Sequence, residues 1–198
     1  MKKPKICIVG DGLSGLFAAQ ILGDLDIDID LISKKILNKN LDKRTTAISP
    51  SNYKFISKYF IKKNTNIFFE CKKIELFYEQ NNNEFINFMN FENSGKNLML
   101  IAENEKMKKN LISNIKKNKK IKIVSQEIKE INTKKTSLVL NKKIFYYDLI
   151  LLCIGKNNNI IETLLGKRFI KDDKNEIAYA CKVVHNSNLK ESKQYFLK

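Results

Sequence analysis

The sequence contains no tryptophan, a single histidine, two prolines and only two arginines, Arg44 and Arg168, among its 37 basic residues. With His185 alone, neither a histidine-based triad nor a histidine-rich metal centre can be assembled, and no metal is expected. Cys7, Cys71, Cys153 and Cys181 stand singly, at none of the short spacings that zinc sites and thioredoxin-like motifs use, so reduced structural thiols are expected. Cys7 and Cys153 fall in apolar runs that read as buried strands, where a thiol behaves as a small hydrophobe. A glycine turn interrupts the first apolar run after Val9, and no run approaches the about 20 residues that cross a bilayer. The expected location is therefore the cytoplasm.

The charge is equally one-sided. The formal net charge is +16, yet the lysines are spread through every segment and no single stripe collects them. Together with abundant asparagine and isoleucine, lysine without arginine reads as the coding bias of an AT-rich genome. Nucleic acid is not an expected partner; an anionic membrane surface suits the charge better and gives peripheral contact at the inner face of the membrane. With 198 residues, 43% of them hydrophobic, the chain can bury one good core and a small second lobe.

The strongest local pattern is at the start. Ile6 to Val9 reads as a buried strand, Leu13, Leu16, Phe17, Ala18, Ile21 and Leu22 recur at helical spacing, and Ile27 to Ile32 reads as a second strand. A right-handed crossover would set it parallel to the first, making a βαβ unit. Between strand and helix lies Gly10-Asp11-Gly12-Leu13-Ser14-Gly15, the spacing of a dinucleotide fingerprint in the context that gives such a motif weight. Gly10 permits the tight turn, Gly12 leaves room for a pyrophosphate against the backbone, and Gly15 lets the helix pack on the strand. The helix N-terminus offers the phosphates unpaired N–H groups and a partial positive charge. The acidic residue that normally ends the second strand and holds the adenosine ribose is replaced by Ser33, and Lys34 or Lys35 is the only cation nearby for a 2′-phosphate, so FAD and NAD(P) both remain open on this pattern.

Further on, Pro50 and Ser51 suit the start of a helix carrying Tyr53, Phe55, Ile56 and Tyr59, whose spacing is more often core than substrate box. Ile74, Leu76 and Tyr78, then Phe85, Phe88 and Phe91, read as two strands around the turn at Asn81-Asn82-Asn83, an inserted sheet whose aromatic residues form a packed face or, as the sharper alternative, line a pocket for an apolar ring. A strand at Leu98–Ile101, a helix at Glu103–Lys117 and a strand at Ile121–Val124 return the chain to the parallel sheet. Short β-prone pieces between Glu127 and Tyr147 read as an antiparallel excursion, Asp148 to Ile154 is the most apolar strand, and Ile177 to Val184 reads as a strand re-entering the inserted sheet. The lysine run at Lys116 to Lys122 is read as a solvated helix end, and His185 as a surface or structural residue.

Asp42-Lys43-Arg44-Thr45-Thr46-Ala47-Ile48-Ser49, Ile101-Ala102-Glu103-Asn104 ahead of a helix, and the strand ending in Gly155 occur in one order along the chain. This resembles the FAD-dependent aromatic hydroxylase family, in particular its ubiquinone-biosynthesis hydroxylases. The resemblance implies an α/β fold: a Rossmann-like FAD-binding parallel sheet with an inserted antiparallel β-sheet that begins a substrate lobe, apparently truncated. It divides the chain into 1–65 (βαβ and helix), 66–97 (insert), 98–170 (return to the FAD-binding domain) and 171–198 (re-entry to the substrate lobe). It implies that Gly10, Gly12, Leu13, Ser14 and Gly15 line the FAD pyrophosphate, that Ser33 stands at the ribose, that Ile128 offers its backbone to the adenine and that Arg44 approaches the flavin. It implies a monooxygenase using NAD(P)H and O₂ to hydroxylate a polyprenylated phenol, with no catalytic side chain that must be visible, because the cofactor performs the hard step.

Three positions depart from the family pattern: Ser33 for the ribose carboxylate, Glu105 for an arginine, and Cys153-Ile154-Gly155-Lys156 where an aspartate-glycine pair is usual. The chain also ends at Lys198, before a later glycine-aspartate segment, so a fragment, or completion by a second polypeptide, is expected. The alternative functions are a non-catalytic accessory protein of a quinone-biosynthesis complex and an NAD(P)-binding oxidoreductase.

Overall fold

The computed structural model describes residues 3–34, 44–60, 67–81, 84–155, 160, 164 and 190–196. The chain forms two compact units, one of residues 1–41 and 108–179 and the other of 42–107 and 180–198.

The first unit is built on β1 (Lys5–Val9), α1 (Leu13–Leu22) and β2 (Asp28–Ser33), with β1 and β2 parallel and paired Cys7 to Asp30 and Val9 to Ile32. β8 (Ile121–Ser125) adds to β2, and β12 (Leu149–Leu152) adds to the other side of β1, giving a four-stranded parallel sheet in the order β12-β1-β2-β8. Alternation along the strands explains the two covered faces. Cys7, Val9 and Ile32 pack with Leu138, Leu140 and Tyr147 of the excursion, whose strands β9 (Ile128–Asn132), β10 (Ser137–Leu140) and β11 (Lys143–Tyr146) form an antiparallel sheet. Ile6, Ile8, Ile29 and Leu31 fall on the opposite face by their alternation, and α1, which packs on β1 and β2, contributes the buried Leu16 and Ala19. The apolar strand expected at 148–154 is present, but as the terminal strand of the sheet, with Leu149 and Leu152 exposed. Cys153 lies just past that strand and is half-buried, whereas Cys7 is fully buried.

The second unit contains β3 (Thr45–Ile48), α2 (Pro50–Ile56) with a 3-10 turn at Ser57–Tyr59, β4 (Phe68–Cys71), β5 (Lys73–Asn81), β6 (Glu84–Glu92), β7 (Met99–Glu103) and β13 (Glu191–Phe196). β3 and β4 flank β7 in one antiparallel sheet, and the described residues 44–60 and 98–103, grouped with the first domain on sequence, fall in this unit. β5 and β6 form the expected hairpin, and β13 joins β5 in parallel. Among the described residues the packed aromatic face expected on β6 is not found: Phe85, Phe88 and Phe91 are exposed, and the first two make ring contacts, Phe85 with Tyr195 and Phe88 with Tyr78 and Phe196. α2 has no buried residue either, so Tyr53, Phe55 and Tyr59 are not core; Tyr53 instead meets Phe68 edge-on. α3 (Asn104–Ile115), the helix foreseen at 103–117, buries Met107, Leu111 and Ile115 at helical spacing. The strand expected at 177–184, and His185, lie outside the described residues.

Asp30 is a buried acid in an apolar strand, and its partners explain why it is tolerated. Its Oδ2 accepts a hydrogen bond from the Tyr147 hydroxyl at 2.9 Å and pairs with the Lys5 ammonium at 2.8 Å. Burial, with the hydrogen bond to Asp30 second, drives the Tyr147 phenol well above its ordinary range, and burial alone is the largest cause pushing the Cys7 thiol up to about 12. Both groups ionise more easily unfolded than folded, so their contribution is complete at neutral pH and is lost as pH rises past about 8.5 for the thiol and about 10 for the phenol. Tyr147→Phe is expected to lower the unfolding free energy at pH 7 by about 1.5–3 kcal/mol, and to make its decline above pH 10 shallower than in the unaltered protein. Urea denaturation between pH 7 and pH 11 measures both.

Candidate functional site

The turn from Val9 to Leu13 is held by backbone hydrogen bonds to the strand on each side. The Gly10 N–H donates to the Ile32 carbonyl at 2.8 Å, and the Cys153 N–H donates to the Val9 carbonyl at 2.8 Å. Gly10 has φ +112°, and a Cβ there would lie 2.3 Å from the Cys153 carbonyl oxygen. Gly15 is buried in the first turns of α1, and a Cβ there would lie 2.0 Å from the Gly10 carbonyl oxygen. These two glycines are demanded by the protein's own backbone, as the tight-turn and close-packing roles anticipate.

Gly12 is different. Its φ of −67° and ψ of 171° are open to any residue, and among the described residues a Cβ there would meet no atom within 4 Å. It is the N-cap of α1, a position where serine, threonine, asparagine or aspartate would satisfy an end N–H group. α2 uses that device: Ser49, at φ −63° and ψ 152°, accepts from the Asn52 N–H at 3.3 Å. α1 has no side-chain cap and no acidic residue in its first turn, so the N–H groups of that turn have no intrahelical partner.

The turn opens onto a cleft of about 570 Å³, within the range of small-molecule sites. The cleft brings together Gly10, Gly12, Ser33 and Ile128 of the sequence-derived set, with Lys34 and Glu127 beside them. Gly155 also lines it and, like Gly12, would place a Cβ within 4 Å of no atom of the described residues. Leu13, Ser14 and Gly15 do not line the cleft; they follow it as the first turn of α1. Arg44 belongs to the second unit, where it is exposed and its carbonyl accepts from the Asn104 N–H at 3.0 Å. Thr46 Oγ1 donates to Asn104 Oδ1 at 2.6 Å, so two of the segments that carried the family resemblance are joined directly through β3, β7 and Asn104. Glu105 stands in the first turn of α3.

Sequence reasoning missed the polar wiring of the cleft. Ser33 Oγ donates to Asp11 Oδ1 at 3.0 Å, and Lys108 Nζ pairs with Asp11 Oδ2 at 3.0 Å. Lys108 thus offsets the charge of the acid in the turn. Lys34 Nζ pairs with Glu127 Oε1 at 2.8 Å, and that hydrogen bond holds the Glu127 carboxyl below its usual range. The spacing 11 to 108 and 34 to 127 carries no local signal; only the pairing of β2 with β8 brings the second pair together. Cys153, whose thiol burial keeps protonated, is also a lining residue.

The sequence matches no described protein family and no curated protein. In three dimensions the chain is similar to FqzB (TM-score 0.68, 15% identity, covering 84% of this chain and 40% of that one). It is also similar to PqsL, a probable FAD-dependent monooxygenase from Pseudomonas aeruginosa (TM-score 0.67, 12% identity, 89% and 48%). A third is CtdE, solved in complex with FAD and a substrate (TM-score 0.64, 12% identity, 81% and 40%). The chain therefore shares a fold with part of these proteins and spans less than half of the length of each.

Two substitutions separate the glycines. Gly10→Ala is expected to lower stability by about 1–3 kcal/mol through strain and overpacking. Gly12→Ser is expected to leave it unchanged or raise it by up to about 1 kcal/mol by capping α1, while placing a hydroxyl in the cleft. Thermal denaturation of the two variants checks the contrast, and equal destabilisation would contradict it.

Proposed function

We propose that the first unit holds FAD and that the chain is the cofactor-holding part of a flavin-dependent monooxygenase. The observation that carries this is Gly12, a bare helix cap at the mouth of a cleft, where a side chain would stabilise the fold and would meet no atom of the described residues within 4 Å. A diphosphate is the ligand such a cap suits, because backbone N–H groups and the helix dipole act together on an anion. The fold shared with PqsL and CtdE supports the flavin over a nicotinamide dinucleotide, since the first is a probable FAD-dependent monooxygenase and the second was solved with FAD.

On this reading Gly10, Gly12 and the N–H groups of Leu13, Ser14 and Gly15 bind the pyrophosphate, Ser33 accepts from a ribose hydroxyl, the Ile128 backbone meets the adenine, and Lys108 keeps Asp11 from repelling the phosphates. Arg44 is proposed to approach the flavin on the resemblance of the segment 42–49 alone. When bound, the flavin supplies electron transfer and oxygen activation, with NAD(P)H as the proposed reductant. The substrate class we propose is a polyprenylated phenol of ubiquinone biosynthesis. Among the described residues no helix is long and apolar enough to cross a membrane. The lysine-rich surface supports peripheral contact with the anionic inner face, where a polyprenyl chain partitions. A second polypeptide, or a quinone-biosynthesis complex, is a proposed partner.

The test is titration of the purified chain with FAD, followed by absorption and by retention of flavin through gel filtration. One equivalent is expected to bind, and Gly12→Ser is expected to weaken binding by tenfold or more at an unchanged or raised melting temperature. Lys108→Met is expected to weaken it by up to about fivefold, the size of a part-exposed ion pair. No flavin retained by the unaltered chain, with nicotinamide dinucleotide bound in its place, would contradict the assignment.

A further inference from the structure

The adenosine ribose of a dinucleotide is usually held by a carboxylate at the end of the second strand. Here that strand ends in Ser33, whose hydroxyl hydrogen is already donated to Asp11 Oδ1, leaving only its lone pairs for a ligand. Asp11 is already engaged at both oxygens, by Ser33 at Oδ1 and by Lys108 at Oδ2. Another carboxylate lies within the same cleft. β2 and β8 are parallel neighbours paired Ser33 to Ser125, so the residues just past their ends, Lys34 and Glu127, stand side by side and both line the cleft with Gly12.

We propose that Glu127 is the ribose-binding carboxylate of this chain, supplied from the end of β8 and held in place by Lys34. The inference rests on the reading that the cleft takes an adenine dinucleotide. Lys34 engages Oε1 at 2.8 Å, and Oε2 has no hydrogen-bond partner among the described residues. A carboxylate with one oxygen fixed and one open can accept a charge-assisted hydrogen bond from a ribose hydroxyl. The same arrangement sets specificity. Lys34, the cation best placed for a 2′-phosphate, is already paired, and Glu127 sets a negative charge beside it, so an unphosphorylated ribose is accepted and a 2′-phosphorylated one is disfavoured. Lys34 is a positioning residue in this scheme; Glu127 makes the contact.

The probes are FAD, ADP, 2′,3′-dideoxy-ADP and adenosine 2′,5′-bisphosphate, titrated calorimetrically into the unaltered chain and Glu127→Gln. The unaltered chain is expected to bind ADP more tightly than the dideoxy analogue and more tightly than the 2′,5′-bisphosphate. Glu127→Gln is expected to weaken ADP tenfold, to leave the dideoxy analogue unchanged, and to improve the 2′,5′-bisphosphate. An equal loss for ADP and its dideoxy analogue, or no loss for either, overturns the role of Glu127 while leaving the cleft a nucleotide site. Failure of the unaltered chain to bind FAD or any adenosine nucleotide overturns both the role and the reading beneath it.

Discussion

Everything in the first unit depends on one crowded point, where the Gly10 carbonyl oxygen occupies the space that a side chain on Gly15 would need. α1 can start directly against β1 only because neither residue has a Cβ. That closeness aims the end of the helix at the C-terminal ends of β1, β2 and β8, the edge of a parallel sheet where ligands are bound in open α/β folds. The backbone hydrogen bonds from Gly10 to Ile32 and from Cys153 to Val9 then fix the turn between its neighbouring strands.

Against that background, Gly12 is informative because nothing crowds it. The chain caps α2 with Ser49 and leaves α1 bare, although the two N-cap residues have nearly the same backbone angles. Local stability alone would favour the capped version at both helices. The difference makes sense when the end of α1 is satisfied by something other than the protein, and the charge wiring is compatible with an anion: Asp11, the one acid in the turn, is matched by Lys108.

The βαβ unit, the β5–β6 hairpin, α3 and the antiparallel excursion were legible because each is a run of contiguous residues with its own period and turn residues. β13 was not, since Glu191-Ser192-Lys193-Gln194 has no apolar alternation and is held by parallel pairing to the distant β5. Exposure was the other failure. Aromatic spacing on β6 and α2 predicts an element but not what covers it, and Phe55, Phe88 and Phe91 are open to solvent. Within the cleft the glycine pattern identified the turn, while Lys34, Glu127 and Lys108 became visible only through strand register and a helix distant in sequence.

In the proposed site, backbone N–H groups at the start of α1 grip a diphosphate. Amide NMR of the chain during FAD titration addresses it residue by residue. The largest shifts are expected on the N–H groups of Gly12, Leu13 and Ser14, with Ser33 and Ile128 following. Saturable binding of FAD that leaves these amides unmoved would contradict that grip.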